Sequence, residues 1–275
     1  MKTDLTMNTE KYHCLINHHI DYLAHINKYF DDASEELLLS LKYQWKDKDK
    51  QLFDKQLFDE ESVISTYSSF IYFYPGTYSN KERSQKFVNL ISSNQAFKNS
   101  NLEKELTFDT VFIALNAGSG GENHYFNNFE NFHYNGSKPS ASKAYSLHKF
   151  IYNKRSHLHG SYITDAFKGL ATSDGNELNS AFSKIENEYP NFTENIIDAY
   201  VDALIDELNT LGANPKIIYS LGKTKLLKTF MSKFKTKWSG DSKFININHY
   251  AATGSRSKEG EKGTSRDENW AEFLE

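Results

Sequence analysis

The chain has 275 residues, 38% of them hydrophobic and 15% aromatic, which is enough apolar material for one large domain or a core with an appendage. Its formal net charge of −4 excludes a global positive field that would draw it to nucleic acid. A single cysteine, Cys14, excludes an internal disulfide, a four-thiolate iron–sulfur cluster and a structural zinc site built on several cysteines.

No apolar stretch approaches the roughly 20 residues that span a bilayer. The start, Met1 to Glu10, is polar and has no signal-peptide hydrophobic region. A cytoplasmic protein with a reduced thiol and no membrane partner is expected.

The first hundred residues read as mostly helical. Leu15, Ile16, Ile20, Leu23, Ile26, Tyr29 and Phe30 recur at three- and four-residue intervals, the pattern of one amphipathic helix. Ser34, followed by Glu35 and Glu36, reads as an N-cap with acids in the first turn. Val63 to Tyr74 is aromatic and β-branched and stops at Pro75-Gly76, with helix or strand open there. Lys81 to Ile91 reads as a further helix.

From about Leu106 the pattern turns to α/β alternation. The expected strands are Val111–Leu115, Ser161–Thr164, Lys216–Leu221 and Phe244–Asn248. Helices are expected over Ser140–Asn153, over Glu194–Leu211 with Gly212 just past its end, and from Gly222 to near Phe234. An insertion rich in Asn, His and aromatics, Glu122 to Tyr134, follows the first strand. The expected fold is a three-layer α/β/α domain over 106–275 with a four-stranded, largely parallel sheet. A helical region, 1–105, precedes it, packed on or appended to the core.

In a parallel sheet the carboxyl ends of the strands share one edge, where ligands bind. Asn116, Asp165, Gly222 and His249 stand at the four predicted strand ends. Three of them have a plain structural use as well. Asn116 can bond the turn after it, Asp165 can cap the next segment, and His249 can be a satisfied strand-end histidine. The pair His157/His159 and the group His13, His18, His19, His25 lack the carboxylate–histidine spacing of a known metal motif, so no metal is expected.

These segments resemble motifs of the uracil-DNA glycosylase superfamily, in order and spacing, from about Leu106 onward. Ala114-Leu115-Asn116-Ala117-Gly118 is similar to the Gly-x-Asn-Pro-Gly first motif of the mismatch-specific branches. Tyr162 to Lys168 resembles the strand that carries the base-recognising residue. Leu221-Gly222-Lys223-Thr224 resembles the strand-to-helix turn, and His249-Tyr250-Ala251 stands where the family has His-Pro-Ser. The resemblance implies a monofunctional DNA glycosylase without metal or cofactor, acting on a flipped pyrimidine. DNA is its implied partner, with roles in repair or in defence against modified foreign DNA.

It also implies residue roles. Asn116 orients the attacking water. His249 hydrogen-bonds a base oxygen and stabilises the leaving anion. Phe129 stacks on the base, with Phe126 and Phe132 close behind. Gly222 and Lys223 hold a phosphate, and Arg256 and Lys258 fill the gap or bind phosphate.

Three positions depart from the family. Ala117 replaces Pro. Gly118 stands where strict uracil enzymes carry a Tyr that blocks 5-substituents. Asp165 replaces the recognising Asn, and an ionised Asp only accepts hydrogen bonds, so it repels uracil O4 and suits the cytosine N4 amino group. A protonated Asp serves either base. Uracil or a 5-modified cytosine is therefore the expected base. The competing expectation is a non-catalytic module that binds nucleic acid or a nucleobase on the same fold. A third is a protein-interaction role for the N-terminal helices.

Eight lysines and one acid, Asp241, lie between Lys216 and Lys243. That stretch reads either as a solvated helix face or as a phosphate-binding surface.

Overall fold

The computed structural model describes residues 6–30, 63–116, 128–133, 141–168, 170, 175–187, 189–250 and 266–274. Among these, no helix is long and apolar enough to cross a membrane.

The N-terminal periodicity yields two helices rather than one, α1 (Thr9–Asn17) and α2 (Tyr22–Asn27). Each helix has its own cap, and the second of them marks the break. Asn8 accepts from the Lys11 amide at the start of α1, and Asp21 accepts from the Ala24 amide and restarts the chain as α2. Both helices belong to the main core, since Met7, Tyr12, Leu15, Tyr22 and Ile26 are buried in the same cluster as the sheet residues Val111, Ile113 and Ile218.

The ambiguous aromatic segment becomes one 3-10 turn and a short strand, β1 (Ser68–Phe70). Helix α3 (Asn80–Ile91) follows, fixed by a capping box between Ser79 and Glu82. Then come α4 (Asn94–Asn99), β2 (Thr107–Asn116), α5 (Ala141–Lys154), β3 (Ser161–Phe167), α6 (Gly175–Glu186) and α7 (Phe192–Thr210). The chain continues through β4 (Ile217–Leu221), α8 (Lys225–Lys237), β5 (Lys243–Ile247) and α9 (Arg266–Phe273). Gly212, left-handed at φ +57°, ends α7, and the Ala213 amide reaches back to Leu208 O at 2.8 Å.

The sheet has five strands in the order β1-β3-β2-β4-β5. The four expected strands are parallel to one another, and β1 adds an antiparallel edge against β3. The expected four-stranded sheet is thus one strand short, because three paired residues are too few to leave a readable alternation. The central strand β2 is buried on both faces. Val111, Ile113 and Leu115 pack with α7 and α8, while Phe112 and Ala114 pack with α5 and α9. This is the α/β/α arrangement, with helices on either side of a mostly parallel sheet.

Two of the eight lysines have a use that neither sequence reading supplied. On α8, Lys233 reaches Glu194 and Asp198, and Lys237 reaches Asp198 and Asp202, all on α7. Lys28 and Tyr29 join through Asp202. These cations tie the two helices together. Lys223, Lys225, Lys228 and Lys235 stay exposed.

One backbone contact controls entry into β3. Gly160 has φ +83°, and a Cβ there would lie 1.9 Å from Glu105 O. Its amide donates to Ile71 O and its carbonyl accepts from the Thr107 amide, so the backbone has no room to retreat. Gly160→Ala is expected to cost roughly 3 kcal/mol or more, from steric clash and left-handed strain together. A thermal melt within 2 °C of wild type, on a scale of about 2–4 °C per kcal/mol, would show the contact to be soft.

Candidate functional site

The strand register aligns the site. Ala114 pairs with Asp165, Ile113 with Ser220, and Leu221 with Ile247. Ala114, Asp165, Leu221 and Ile247 therefore form one rung, and the pleat sends their side chains to one face. Ala114, Leu221 and Ile247 share a core cluster on that face, as expected. Asn116 lies two residues beyond the rung on β2, Gly222 one beyond on β4, and His249 two beyond on β5. Asn116, Gly222 and His249 thus stand at the carboxyl edge, with Asp165 one pleat deeper. The rung spans about 14 Å from β3 to β5, at roughly 4.8 Å per strand spacing.

Asp165 differs from its expected place. It does not end the strand but lies inside β3, wholly buried. Its Oδ2 accepts a 2.7 Å hydrogen bond from Asn131 Nδ2, which also donates to Tyr67 O at 3.0 Å. Its Oδ1 is buried without a hydrogen-bond partner. Burial pushes the carboxyl up to about 7 from its ordinary 3.8, against the Asn131 hydrogen bond and the Lys168 charge, and with help from Glu207.

Asn116 is half-buried, and its Nδ2 donates to Leu170 O at 2.8 Å, which orients the amide. A Cβ at Gly222, where φ is +126°, would lie 3.8 Å from the Cβ of His249, so the ends of β4 and β5 are in contact range. The Gly222 amide donates to Ile247 O at 2.9 Å and is spent on the sheet rather than offered to a phosphate. Lys223 beside it is exposed. His249 is half-buried, with its ring centroid 4.0 Å from that of Tyr250. Burial drives the Tyr250 hydroxyl upward, and the Asp165 carboxyl adds to the rise, which places this side chain on the Asp165 face. Gly118, Phe126, Arg256 and Lys258 lie outside the described residues.

Phe129 does not line this edge. It is fully buried, with its ring 6.2 Å from Tyr12 and 6.3 Å from Phe70, in the core formed with the N-terminal helices. The reason is the docking of residues 128–133 along β1. The Phe129 amide donates to Ser65 O, and its carbonyl accepts from Ser69 Oγ. Phe132 packs instead with Phe112, Ala114 and Leu221, on the Asp165 face. Phe129 and Phe132 have φ values of +65° and +67°, and they flank Asn131. Bulky residues in the left-handed region cost about 1–3 kcal/mol each and concentrate where a segment must present a particular side chain. Here that side chain is Asn131.

Behind Asp165, on the opposite face of β3, lies a buried polar group with no sequence-level assignment. Glu207 of α7 accepts from Tyr162 OH and Thr164 Oγ1, both at 2.9 Å. Lys168 Nζ lies 2.9 Å from Glu207 Oε2, a charge contact rather than a directed hydrogen bond, and donates to Asp165 O at 2.7 Å. Glu207 has a readable signal, because it falls three residues after Leu204 on the apolar face of α7. Among the described residues, no three His, Cys, Asp or Glu side chains gather as metal ligands. His159 Nε2 instead accepts from the Phe73 amide.

No protein-family model matches the chain, and no curated protein matches its sequence.

Proposed function

We propose that the protein is a cytoplasmic DNA glycosylase-like hydrolase of the uracil-DNA glycosylase type, cutting the bond between deoxyribose and a flipped pyrimidine. The observation that carries this reading is Asp165, a buried carboxyl with one oxygen tied to Asn131 and the other unpartnered, one pleat below the carboxyl edge of the sheet. An apolar or neutral side chain would be cheaper there, so a ligand that meets Oδ1 accounts for its presence. The strand order places the change of direction between β2 and β4, and ligands of open α/β sheets bind outside such a point.

In the reaction, a water oxygen forms the new bond to C1′, the bond from C1′ to the base nitrogen breaks, its electron pair leaves with the base as an anion, and the proton lost by the water passes to solvent. Asn116 orients that water. His249 donates to a base oxygen and stabilises the departing anion. Asp165 meets the far edge of the base. With its proton on Oδ1 it donates, and without it only accepts. The two forms exchange near neutrality, so preference for a 5-modified cytosine over uracil is expected to grow from pH 6 to pH 8. Exposed Lys223, Lys225 and Lys228 supply phosphate contacts beside this edge.

Base release from oligonucleotides carrying uracil, cytosine or 5-substituted cytosine tests the reading, with wild type and Asn116→Ala compared. Release should fall at least about 100-fold in the variant, in line with loss of a positioned water. Release of uracil alone at every pH would remove the modified-cytosine assignment. DNA binding without release from any substrate would leave a binding module.

A further inference from the structure

Lys168 and Glu207 are 1% and 0% exposed, and a buried ion pair is a poor way to stabilise a core. Apolar residues of the same volume often do as well or better. This pair is nevertheless well supported. Tyr162 and Thr164 donate to Glu207, and Tyr200 OH donates to Lys168 O at 2.9 Å. What the pair adds is a grip on one residue. Lys168 Nζ holds the Asp165 carbonyl, while its charge and that of Glu207 act on the Asp165 carboxyl in opposite directions.

We propose that Lys168 and Glu207 are a positioning pair that fixes the backbone and the charge state of Asp165, a role that rests on reading Asp165 as the base-contacting carboxyl. The cation and the anion lie behind β3 and Asp165 projects in front of it, so the pair tunes the carboxyl without occupying the site. Among the described residues, the other groups that face Asp165 are Asn131, a neutral hydrogen-bond donor, and Tyr250, which stays protonated. Neither supplies a charge near neutral pH, so among the described residues Lys168 and Glu207 are the charges that act on the carboxyl, beside its burial and the Asn131 bond.

The test is a carbon NMR titration of the Asp165 side-chain carboxyl, assigned by its loss in Asp165→Asn. Lys168→Met removes the cation, and the midpoint should rise by about one pH unit. Glu207→Gln removes the anion, and the midpoint should fall by about the same amount. A pair whose charges do not reach the carboxyl would not give shifts of opposite sign. Midpoints that stay together overturn the proposal. If a single variant does not fold, the double variant Lys168→Met/Glu207→Gln carries the test. It keeps the charge sum but releases the Asp165 carbonyl, so amide exchange at Ala166 and Phe167 should speed up about tenfold. Unchanged protection overturns the proposal. Base release measured on the same proteins separates the two readings. Shifted midpoints without release from any substrate retain the pair and remove the glycosylase. Release with unshifted midpoints does the reverse.

Discussion

Asp165→Asn is expected to stabilise the protein by about 4 kcal/mol at pH 8 and to redirect base recognition. The folded carboxyl titrates at about 7, against 3.8 in its ordinary setting, and each unit of difference is worth about 1.4 kcal/mol. The unfolded chain releases this proton near pH 4 and the folded chain only near pH 7. Between those values the unfolded state binds fewer protons. Wild type therefore loses stability as pH rises through that window, and the loss is complete above it. The neutral amide never titrates, so its advantage is small at pH 4, grows with pH, and levels off above pH 7. At about 2–4 °C per kcal/mol, the melting temperature at pH 8 should rise by roughly 10 °C. Asn at 165 also donates where ionised Asp accepts, so discrimination in favour of cytosine should be lost while uracil is still accepted. A gain in stability joined to a loss of selectivity marks a residue kept for function. Equal melting curves at pH 8 would mean that the carboxyl is solvated, and the site reading would fall with it.

Much of this frame was legible in the sequence. Strands β4 and β5 begin and end within a residue of their expected limits, because each is a short β-branched or aromatic run bounded by turn residues. Helix α7 was legible from its apolar face and its terminal glycine. The expected end of β3 falls at Thr164 because Asp is a poor strand residue. Only the Asn131 bond and a raised carboxyl let it continue to Phe167. Phe129 was misplaced for a related reason. Its spacing from Asn116 is a one-dimensional fact, whereas its burial depends on residues 128–133 docking along β1, a strand too short to be read. Lys168 and Glu207 are 39 positions apart, and nothing but the fold brings them together.

The second large effect concerns acid. His133 and His148 are buried 5.1 Å apart between the edge of the sheet and α5. His133 Nε2 donates to Phe70 O and its Nδ1 accepts from Tyr145 OH, while His148 Nδ1 donates to Tyr72 O. A carbonyl only accepts, so each ring is fixed as one neutral tautomer. A second proton would force the His133–Tyr145 bond to reverse and would put an N–H on His148 Nε2, which is buried with no partner. Burial accordingly pulls His133 down to about 3 and His148 well below its usual range, where the His133 charge also opposes it. The unfolded chain takes up both protons near pH 6.5, so it binds more protons than the folded chain below that value. Stability falls as pH falls, at about 1.4 kcal/mol per unit for each ring. Asp165 opposes one of the two across the same range, so these three groups together cost wild type about 1.4 kcal/mol per unit between pH 6 and pH 4.5. Asp165→Asn removes the opposing group, so its loss should steepen to about 2.7 kcal/mol per unit. Urea unfolding at pH 7, 6, 5 and 4.5 reads both slopes. Parallel slopes in the two proteins would show that Asp165 is ionised when folded, and wild-type stability that rises toward acid would show that the two histidines already carry protons in the fold.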